Sequence, residues 1–184
     1  MLCREFEAAG GTSHRVDSIE QARQQVVDLL VARSARHVLR GDTLALQQLG
    51  LDDALAAADV AVTVARMVGE DDREPIRTVA FSADAGITSV DYAVAESGTL
   101  ALLTAPGQGR SVSLLPPVHL AILDARDIVL ELSALLERVE DCGAMPSALT
   151  FITGPSKTGD IEQKLTVGVH GPGEIHLVLV AALE

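Results

Sequence analysis

The chain has 184 residues, a length typical of one domain, and 48% of them are hydrophobic, so a folded core is expected rather than a disordered chain. Only 2% are aromatic, so Leu, Val, Ile and Ala must fill that core. The 14 basic and 26 acidic residues give a net charge of −12, which argues against a general nucleic-acid binder and against binding to anionic membranes. A small anionic ligand needs only a local positive site, so this balance does not exclude one.

No membrane or export segment is predicted from the sequence. No apolar stretch approaches the roughly 18 residues of a membrane span, and the first residues, MLCREFEAAGG, lack the apolar core of a signal peptide. The two cysteines, Cys3 and Cys142, are too few and too far apart for a disulfide scaffold or an iron–sulfur cluster. No His, Cys and Asp spacing matches a metal site. We therefore expect a cytoplasmic protein without a metal or cluster of its own.

The first half of the chain predicts helices and strands in alternation. Ser18 is of the residue type that caps a helix, Gln21 is its capping-box partner, and apolar positions at helical spacing follow. The predicted elements are a helix over 19–34, a strand over 35–39, a helix over 51–58 and a buried strand over 60–65. The dense charge run GEDDREPIR, residues 69–77, is interpreted as a solvated loop.

The second half alternates apolar runs with turns that contain Gly and Pro. These runs predict strands over 99–104, 118–123, 148–153 and 175–180. Pro116 and Pro117 stop any helix before the second of these strands. Asp127 is interpreted as the cap of a helix that ends at Gly143 and carries Ile128, Leu132, Leu135 and Val139 on one face. The segment 92–95 is predicted to be short, either helical or extended.

This alternation predicts an α/β fold, with a mostly parallel sheet flanked by helices in a single domain over residues 1–184. Right-handed crossovers place the loops that follow the strands along one edge of such a sheet, and ligands bind at this carboxyl edge. We expect the turns at Glu96 and Gly154 to lie there together, as one candidate site.

The segment FITGPSKTGDIEQKLTVGVHGP, residues 151–172, is the main candidate for a binding loop. A strand breaks at Gly154-Pro155, small polar residues follow, and the periodic segment 161–167 is interpreted as a short helix. Ser, Thr and Asp cap free N–H groups, and a helix N-terminus favours an anion. The spacing matches neither a Walker A loop nor a dinucleotide-binding fingerprint, so the segment also fits a capped strand-to-helix turn without a ligand.

Charged and hydroxyl residues near these turns are candidates for chemistry. Glu96 lies among small residues in AVAESGTLAL and is a candidate nucleophile or general base, or else a cap for the N–H groups of its own turn. Ser97 and Thr99 can offer hydroxyls to a ligand or satisfy the turn. Arg110, which follows the loop APGQG, suits a carboxylate or a phosphate, and Lys157 is the second candidate cation.

Two histidines have contrasting surroundings in the sequence. His119 stands at a strand start and is interpreted as a packed, hydrogen-bonded residue. His170 lies in a Gly/Pro turn and is the better candidate for proton transfer near neutral pH, because loops often carry function. No Ser-His-Asp triad can be assigned from the order of the residues.

Three stretches together resemble the lactate-utilisation (LUD) domain family, of the lactate utilisation protein C type. They are ITSVDYAVAESGTLAL (87–102), PGQGRSVSLLPPVHLAIL (106–123) and ITGPSKTGDIEQKLTVGVHGPGEIHLVLV (152–180). The resemblance covers the C-terminal half well and the N-terminal half loosely. Relatives usually begin with a longer N-terminal helical segment, so this segment is expected to be short here.

The resemblance implies an α/β fold like that of ribose-phosphate isomerase and the CoA transferases. It also implies a place in an iron–sulfur-dependent system that oxidises L-lactate to pyruvate. This chain would be the cluster-free subunit, with iron–sulfur subunits as its partners. Residues at matching motif positions are Glu96, Thr99, Arg110, Ser156, Lys157, Thr158, Asp160 and His170.

Three functions follow as hypotheses. In the first, the subunit binds a small anionic ligand or a cofactor of unknown identity at the Glu96 and Gly154 turns. In the second, an independent enzyme acts on an acyl or phosphate ligand with Glu96 as nucleophile, and in the third the chain is a scaffold without a ligand. Glu96 and His170 are the catalytic candidates, and the ligand-binding candidates are Thr99, Arg110, Gly154, Ser156, Lys157, Thr158 and Asp160. A homo-oligomer is compatible with the acidic, apolar-rich composition.

Overall fold

The computed structural model describes residues 1–66, 69, 72–141, 143, 145–159, 165–168 and 170–183. Its helices are α1 (Leu2–Ala8), α2 (Ile19–Ala32), α3 (Leu44–Gln48), α4 (Leu51–Ala57), α5 (Arg73–Ser82), α6 (Arg110–Leu114) and α7 (Leu132–Asp141). None of these described helices is both long and apolar enough to span a membrane.

The strands fall into three groups. Those of the main sheet are β1 (Thr12–Val16), β2 (His37–Arg40), β3 (Ala61–Val64), β4 (Ala85–Ser89), β7 (Val118–Asp124) and β12 (Glu174–Val180). Those of a smaller sheet are β5 (Tyr92–Val94), β6 (Thr99–Leu103), β8 (Ile128–Val129) and β9 (Leu149–Ile152). The remaining pair, β10 (Lys157–Gly159) and β11 (Leu165–Val167), forms an antiparallel hairpin.

The main sheet is parallel throughout, in the order β1-β12-β7-β4-β2-β3. The smaller sheet is mixed: β5 runs parallel to β8 and antiparallel to β6, and β6 runs antiparallel to β9. This arrangement confirms the predicted α/β fold with a parallel sheet flanked by helices. The mixed sheet was not predicted.

Both faces of the main sheet are covered, which explains why its central strands are nearly continuous apolar runs. Along β7, Leu120 and Ile122 pack with α2, α3 and α4 on one face. Their neighbours Ala121 and Leu123 point to the other face, where α1 and the smaller sheet cover β7 and β12. The same face is covered by α5 and α6 near β2, and α7 packs on the outer side of the smaller sheet.

The start of α2 follows the sequence closely. The Ser18 side chain accepts a hydrogen bond from the Gln21 N–H at 3.3 Å, and the Gln21 side chain accepts one from the Asp17 N–H at 2.8 Å. Two N–H groups at the helix start are thereby satisfied, as in a capping box. The predicted helices over 19–34 and 51–58 are confirmed within about two residues, the usual uncertainty of helix ends.

The charge run 69–77 is not wholly a loop, because α5 begins within it at Arg73. Ile76 and Ala80 are buried against the sheet, four residues apart on one face of this helix, while the charged residues face solvent. Pro75 falls in the first helical turn, where its missing N–H does no harm. The apolar spacing in EPIRTVAFSA therefore outweighed the charges that surround it.

The helix predicted from Asp127 begins later, at Leu132. Residues Ile128 and Val129 instead form β8, which pairs with Ala93 and Val94 of β5. The segment 92–95, left open between helix and strand, is therefore extended. Ile128 fitted the helical spacing by coincidence, since two β-branched residues in a row favour a strand.

The prediction of a helix over 161–167 is wrong for residues 165–167. Leu165 to Val167 form a strand that pairs with Lys157 to Gly159, so the polar loop after Gly154 leads into a hairpin. Residues 160–164, including the candidate Asp160, lie outside the described part of the chain. An anion site at the N-terminus of a helix here is therefore not supported by the described residues.

Candidate functional site

The turns at Glu96 and Gly154 lie side by side, as predicted. The antiparallel pairing of β6 with β9 brings Thr99 next to Thr153, and their side-chain oxygens are 2.8 Å apart. The Ser97 hydroxyl donates to the Thr99 oxygen at 2.8 Å, which extends a chain of three hydroxyls. Each hydroxyl in this chain is satisfied by a neighbour, so the hydrogen bonds stabilise the turns themselves.

The sequence predicted that these turns lie at the carboxyl edge of the main sheet. The structure places them elsewhere. The Lys157 ammonium donates to the Ala9 carbonyl at 2.7 Å, and Ala9 stands before the start of β1. The Ser156 N–H donates to the Pro172 carbonyl at 2.9 Å, just before the start of β12. The Gly154 loop is thus at the amino edge. The expectation failed because β6 and β9 belong to the mixed sheet, to which the crossover rule does not apply.

Glu96 is exposed, and its carboxylate accepts a hydrogen bond from the Leu132 N–H at 3.3 Å. Leu132 is the first residue of α7, so Glu96 caps a helix from another part of the chain rather than its own turn. The Glu96 N–H donates to the Leu130 carbonyl at 3.0 Å, which fixes the turn against the segment before α7. This geometry gives Glu96 a structural role, and its chemical role stays a prediction.

Gly154 and Lys157 hold α1 in place. Gly154 has a φ of +100°, and a Cβ at this position would lie 2.6 Å from the Ala9 carbonyl oxygen. Only glycine combines this backbone conformation with so close an approach. The Lys157 ammonium bonds the same carbonyl, at the C-terminal end of α1, where a positive charge is favourable. The candidate cation of this loop is thus engaged with the backbone.

The other candidates of this region are spread along the hairpin. Ser156 is half-buried, and its carbonyl accepts a hydrogen bond from the Gly168 N–H at 2.9 Å. Thr158 pairs with Thr166 in the hairpin. His170 is exposed in the turn that leads back to β12. No contact among the described residues brings the His170 side chain to Glu96.

Arg110 lies away from these turns, at the other end of β6. The loop before it is anchored where β2 ends, because the Asp42 N–H donates to the Gly107 carbonyl at 2.7 Å. Arg110 then lines a cavity together with Thr104 and Ala148, which adjoin the far ends of β6 and β9. Thr99 and Thr104 are separated by the length of β6, roughly 17 Å at 3.3 Å per residue. The structure therefore places the predicted cation at the carboxyl edge and the predicted turns elsewhere.

We call this cavity the arginine cleft. It has a volume of about 560 Å³ and lies between α5, α6 and the smaller sheet. The arginines that line it are Arg73 and Arg77 of α5 and Arg110 of α6. No acidic residue lines the cleft among the described residues, although the chain has 26 of them. The described lining of the cleft is thus positively charged, in a protein with a net negative charge.

Two polar groups of residues that line the cleft lack a partner among the described residues. Within the described part of the chain, the Arg110 side chain has no hydrogen-bond or ion-pair partner. The Thr104 side-chain oxygen is buried and also has no partner, whereas the Thr104 N–H is satisfied by the Ala148 carbonyl at 2.9 Å. A buried hydroxyl without a partner is costly, and a bound ligand that supplies a hydrogen bond removes that cost.

Polar residues at the carboxyl edge hold the loops around the cleft. The half-buried Asp91 carboxylate accepts hydrogen bonds from the Leu103 N–H at 2.7 Å and from the Gln108 side chain at 2.6 Å. Burial raises the pKa of Asp91 above its ordinary value, and these hydrogen bonds oppose the shift. Gln108 belongs to the loop APGQG, so Asp91 fixes the approach to Arg110. Asp91 was not predicted as a site residue, although an Asp two residues after a buried strand is a signal of this kind.

A second network at this edge was also missed. Arg40, the last residue of β2, is buried and makes a bidentate contact with the Asp52 carboxylate at 2.6 and 2.7 Å. Arg66 bonds the Asp42 carboxylate at 2.7 Å, and this contact holds the pKa of Asp42 below its ordinary value. These pairs neutralise charges near the strand ends, so Arg40 and Arg66 are not the cations of a ligand site.

The histidines outside the predicted turns have structural surroundings. His119 is fully buried, and its Nε2 lies 2.9 Å from the Thr88 hydroxyl, which confirms the packed interpretation. His14 and His176 face each other between β1 and β12, with 3.2 Å between Nε2 of the first and Nδ1 of the second. Arg33 lies 2.7 Å from the other nitrogen of His176. No group of three His, Cys, Asp or Glu in the described residues is arranged to hold a metal ion.

Comparison with known families decides the relationship. The model of the LUD domain family matches residues 1–180, almost the whole chain. The chain belongs to the LUD domain family. The resemblance read from the three sequence stretches is therefore confirmed, and the match extends over the N-terminal half as well.

Curated relatives of this LUD domain carry a common name. A "Lactate utilization protein C" from Halalkalibacterium halodurans is 40% identical over 164 residues, which cover 86% of this chain and 67% of the relative. A protein of the same name from Shouchella clausii is 36% identical over 159 residues, which cover 84% of this chain and 65% of the relative. The chain spans about two thirds of the length of these relatives.

A solved structure has the same fold. The crystal structure of a DUF162 family protein from Deinococcus radiodurans matches 98% of this LUD domain and 96% of its own chain, with a TM-score of 0.63. The sequences are 22% identical, so the comparison shows the fold alone.

Proposed function

We propose that this LUD domain is the cluster-free subunit of an iron–sulfur-dependent system that oxidises L-lactate to pyruvate. The similarity to proteins named for lactate utilization supports this role. The scarcity of cysteines supports a subunit whose redox centres are supplied by iron–sulfur partners, since a cluster is usually held by four thiolates. We also propose that the chain acts as one domain, and that its fold is of the ribose-phosphate isomerase and CoA-transferase type.

The contribution of this subunit is to bind a small anionic ligand in the arginine cleft. The observation that carries this proposal is the lack of a partner for the Arg110 guanidinium within the described residues, beside the buried and unpaired Thr104 hydroxyl. A guanidinium and a hydroxyl are complementary to a carboxylate or a phosphate. At the Glu96 and Gly154 turns, by contrast, both charged groups already have partners. The Glu96 carboxylate accepts the first N–H of α7, and the Lys157 ammonium donates to the carbonyl at the end of α1.

Growth on lactate tests this function. The chain is expressed in a bacterial strain that lacks its own lactate utilization protein C and that receives L-lactate as its carbon source. We expect the wild-type chain to restore growth and the Arg110→Gln variant to restore it at least tenfold more slowly. Arg36→Gln is the matched control, because Arg36 is an exposed arginine outside the cleft and its loss changes the net charge equally.

Either of two results would contradict the proposal. Failure of the wild-type chain, when it is present in folded form and in normal amount, would argue against a role in lactate oxidation. Equal growth with Arg110→Gln and with the control would show that lactate oxidation does not require Arg110 of the cleft. Co-purification of the chain with the iron–sulfur proteins of the same strain gives an independent check of the partners.

A further inference from the structure

We infer that the arginine cleft binds a phosphate ester of nucleotide size, with its phosphates on the arginines and its organic body against the apolar wall. This inference rests on the proposed function in that it concerns the same cleft, and it specifies the chemical class of the ligand. It differs from the simplest expectation, which is that a lactate-utilization protein binds lactate itself.

The number of guanidinium groups favours a ligand with several negative charges. A monocarboxylate such as lactate needs one bidentate arginine, whereas Arg73, Arg77 and Arg110 all line the cleft. Arg77 and Arg110 are like charges at one cavity, and like charges repel one another in the absence of a counter-charge. The chain has 26 acidic residues and 14 basic ones, yet the described lining of the cleft contains no acidic residue. A phosphate or pyrophosphate group matches this concentration of charge.

The contacts of Arg77 leave it available for such a group. Its guanidinium is 3.9 Å from the Glu74 carboxylate, and both side chains are more than half exposed. Surface ion pairs of this length contribute little. The guanidinium also lies 5.7 Å from the centroid of the exposed Phe81 ring. Neither contact holds the charge of Arg77 away from the cleft.

The size of the cleft favours a larger ligand than lactate. Its volume of about 560 Å³ falls within the range of roughly 300–1,000 Å³ that is usual for sites of small organic ligands and cofactors. A ligand as small as lactate would leave most of a cleft of this volume to solvent. The lining also includes the apolar residues Ile76, Leu114 and Leu115, which we call the apolar wall, and Leu114 is 37% exposed. This wall can cover the apolar body of a phosphate ester.

Calorimetric titration of the purified full chain tests the inference, with inorganic pyrophosphate, ADP and L-lactate as probes at one ionic strength. We expect pyrophosphate and ADP to bind, ADP at least tenfold more tightly than pyrophosphate, and lactate to bind more weakly than either. Arg110→Gln and Arg77→Gln should each weaken both phosphate probes at least tenfold. Arg36→Gln should leave them unchanged, and Leu114→Ala should weaken ADP alone.

Several outcomes would overturn the inference. They are absence of binding by both phosphate probes at millimolar concentration, tighter binding of lactate than of ADP, and equal losses in Arg110→Gln and Arg36→Gln. Equal affinities of ADP and pyrophosphate would overturn the assignment of the organic body to the apolar wall. The unfolding midpoint of each variant without probes shows that it is folded. Because growth on lactate is measured separately, a lactate-binding cleft that supports growth would refute the inference and leave the proposed function intact.

Discussion

His119 is a neutral histidine in the middle of the core. Its side chain is fully buried, Nε2 contacts the Thr88 hydroxyl, and Nδ1 has no hydrogen-bond partner among the described residues. Burial lowers its pKa from 6.5 to about 4, because no described carboxylate compensates a charge there. The residue therefore contributes to stability only while it is uncharged.

A pH-dependent stability follows. Between pH 6.5 and pH 4 the unfolded chain binds a proton at His119 that the folded chain does not bind, so the free energy of unfolding falls as the pH falls. The expected slope is about 1.4 kcal/mol per pH unit for this residue. His119→Gln should remove this share of the slope, as measured by urea unfolding at pH 7 and pH 5. The pKa values of His14 and His176 are also lowered mainly by burial, and these residues keep their own contributions to the slope in the variant. An unchanged slope in the variant would contradict the assignment.

At the scale of single elements, α7 depends on a cap that comes from a distant part of the chain. The Glu96 carboxylate accepts the Leu132 N–H, which has no partner within its own helix. Glu96→Ala should therefore lower the free energy of unfolding by about 0.5–1 kcal/mol, as is typical of exposed helix caps. Glu137→Ala, in the middle of the same helix, is the control and should change stability less.

The same position distinguishes capping from catalysis. If Glu96 only caps α7, Glu96→Gln retains a side-chain oxygen and should support growth on lactate at the wild-type rate. A nucleophilic Glu96 predicts the opposite result, loss of growth with stability unchanged.

The docking of α1 gives the second prediction at this scale. In Gly154→Ala the added Cβ would meet the Ala9 carbonyl at 2.6 Å in a backbone conformation that L-residues rarely adopt. We expect a loss of about 2–3 kcal/mol, measured by calorimetric unfolding. Gly143→Ala is the matched control, because its φ is +72° but no atom of the described residues lies within 4 Å of the new Cβ. If both variants lose the same amount, the effect is due to backbone strain alone and α1 is not displaced.

Individual elements were predictable where one physical signal dominated. Ser18, Gln21 and regular apolar spacing defined α2, and uninterrupted apolar runs defined β7 and β12. The sequence misled where two signals compete. Charges concealed the apolar face of α5, and Ile128 fitted a helix although tertiary pairing makes it part of β8. The hairpin partner of Lys157 was not predictable, because pairing between strands depends on contacts across the turn.

The candidate site shows the same division. The residue types were informative, since Arg110 does line a cavity and the two turns do meet. Which of these residues lie together was not predictable, because that depends on β6 being part of a separate mixed sheet. Arg73 and Arg77 were dismissed with the charge run, and only the helical form of α5 brings them to Arg110.

For the molecule as a whole, the main sheet separates two regions that the sequence suggested were one. Arg110 lies near the carboxyl ends of the parallel strands, whereas Gly154 and Lys157 lie near the amino ends. A strand of the length of β7 spans roughly 23 Å at 3.3 Å per residue. A ligand of nucleotide size in the arginine cleft therefore does not reach Lys157, and the two regions can serve different partners.

The strand order also governs how the chain reaches this structure. The last strand in the sequence, β12, lies between the first strand, β1, and the central strand β7. Until β12 has been synthesised, β1 has no neighbour in the sheet, and the β7 edge of the β7-β4-β2-β3 group is open. Pairing across such long sequence separations slows folding, and open edges invite aggregation. Completion of the main sheet therefore depends on β12, and the edges of β1 and β7 stay open until this strand is inserted.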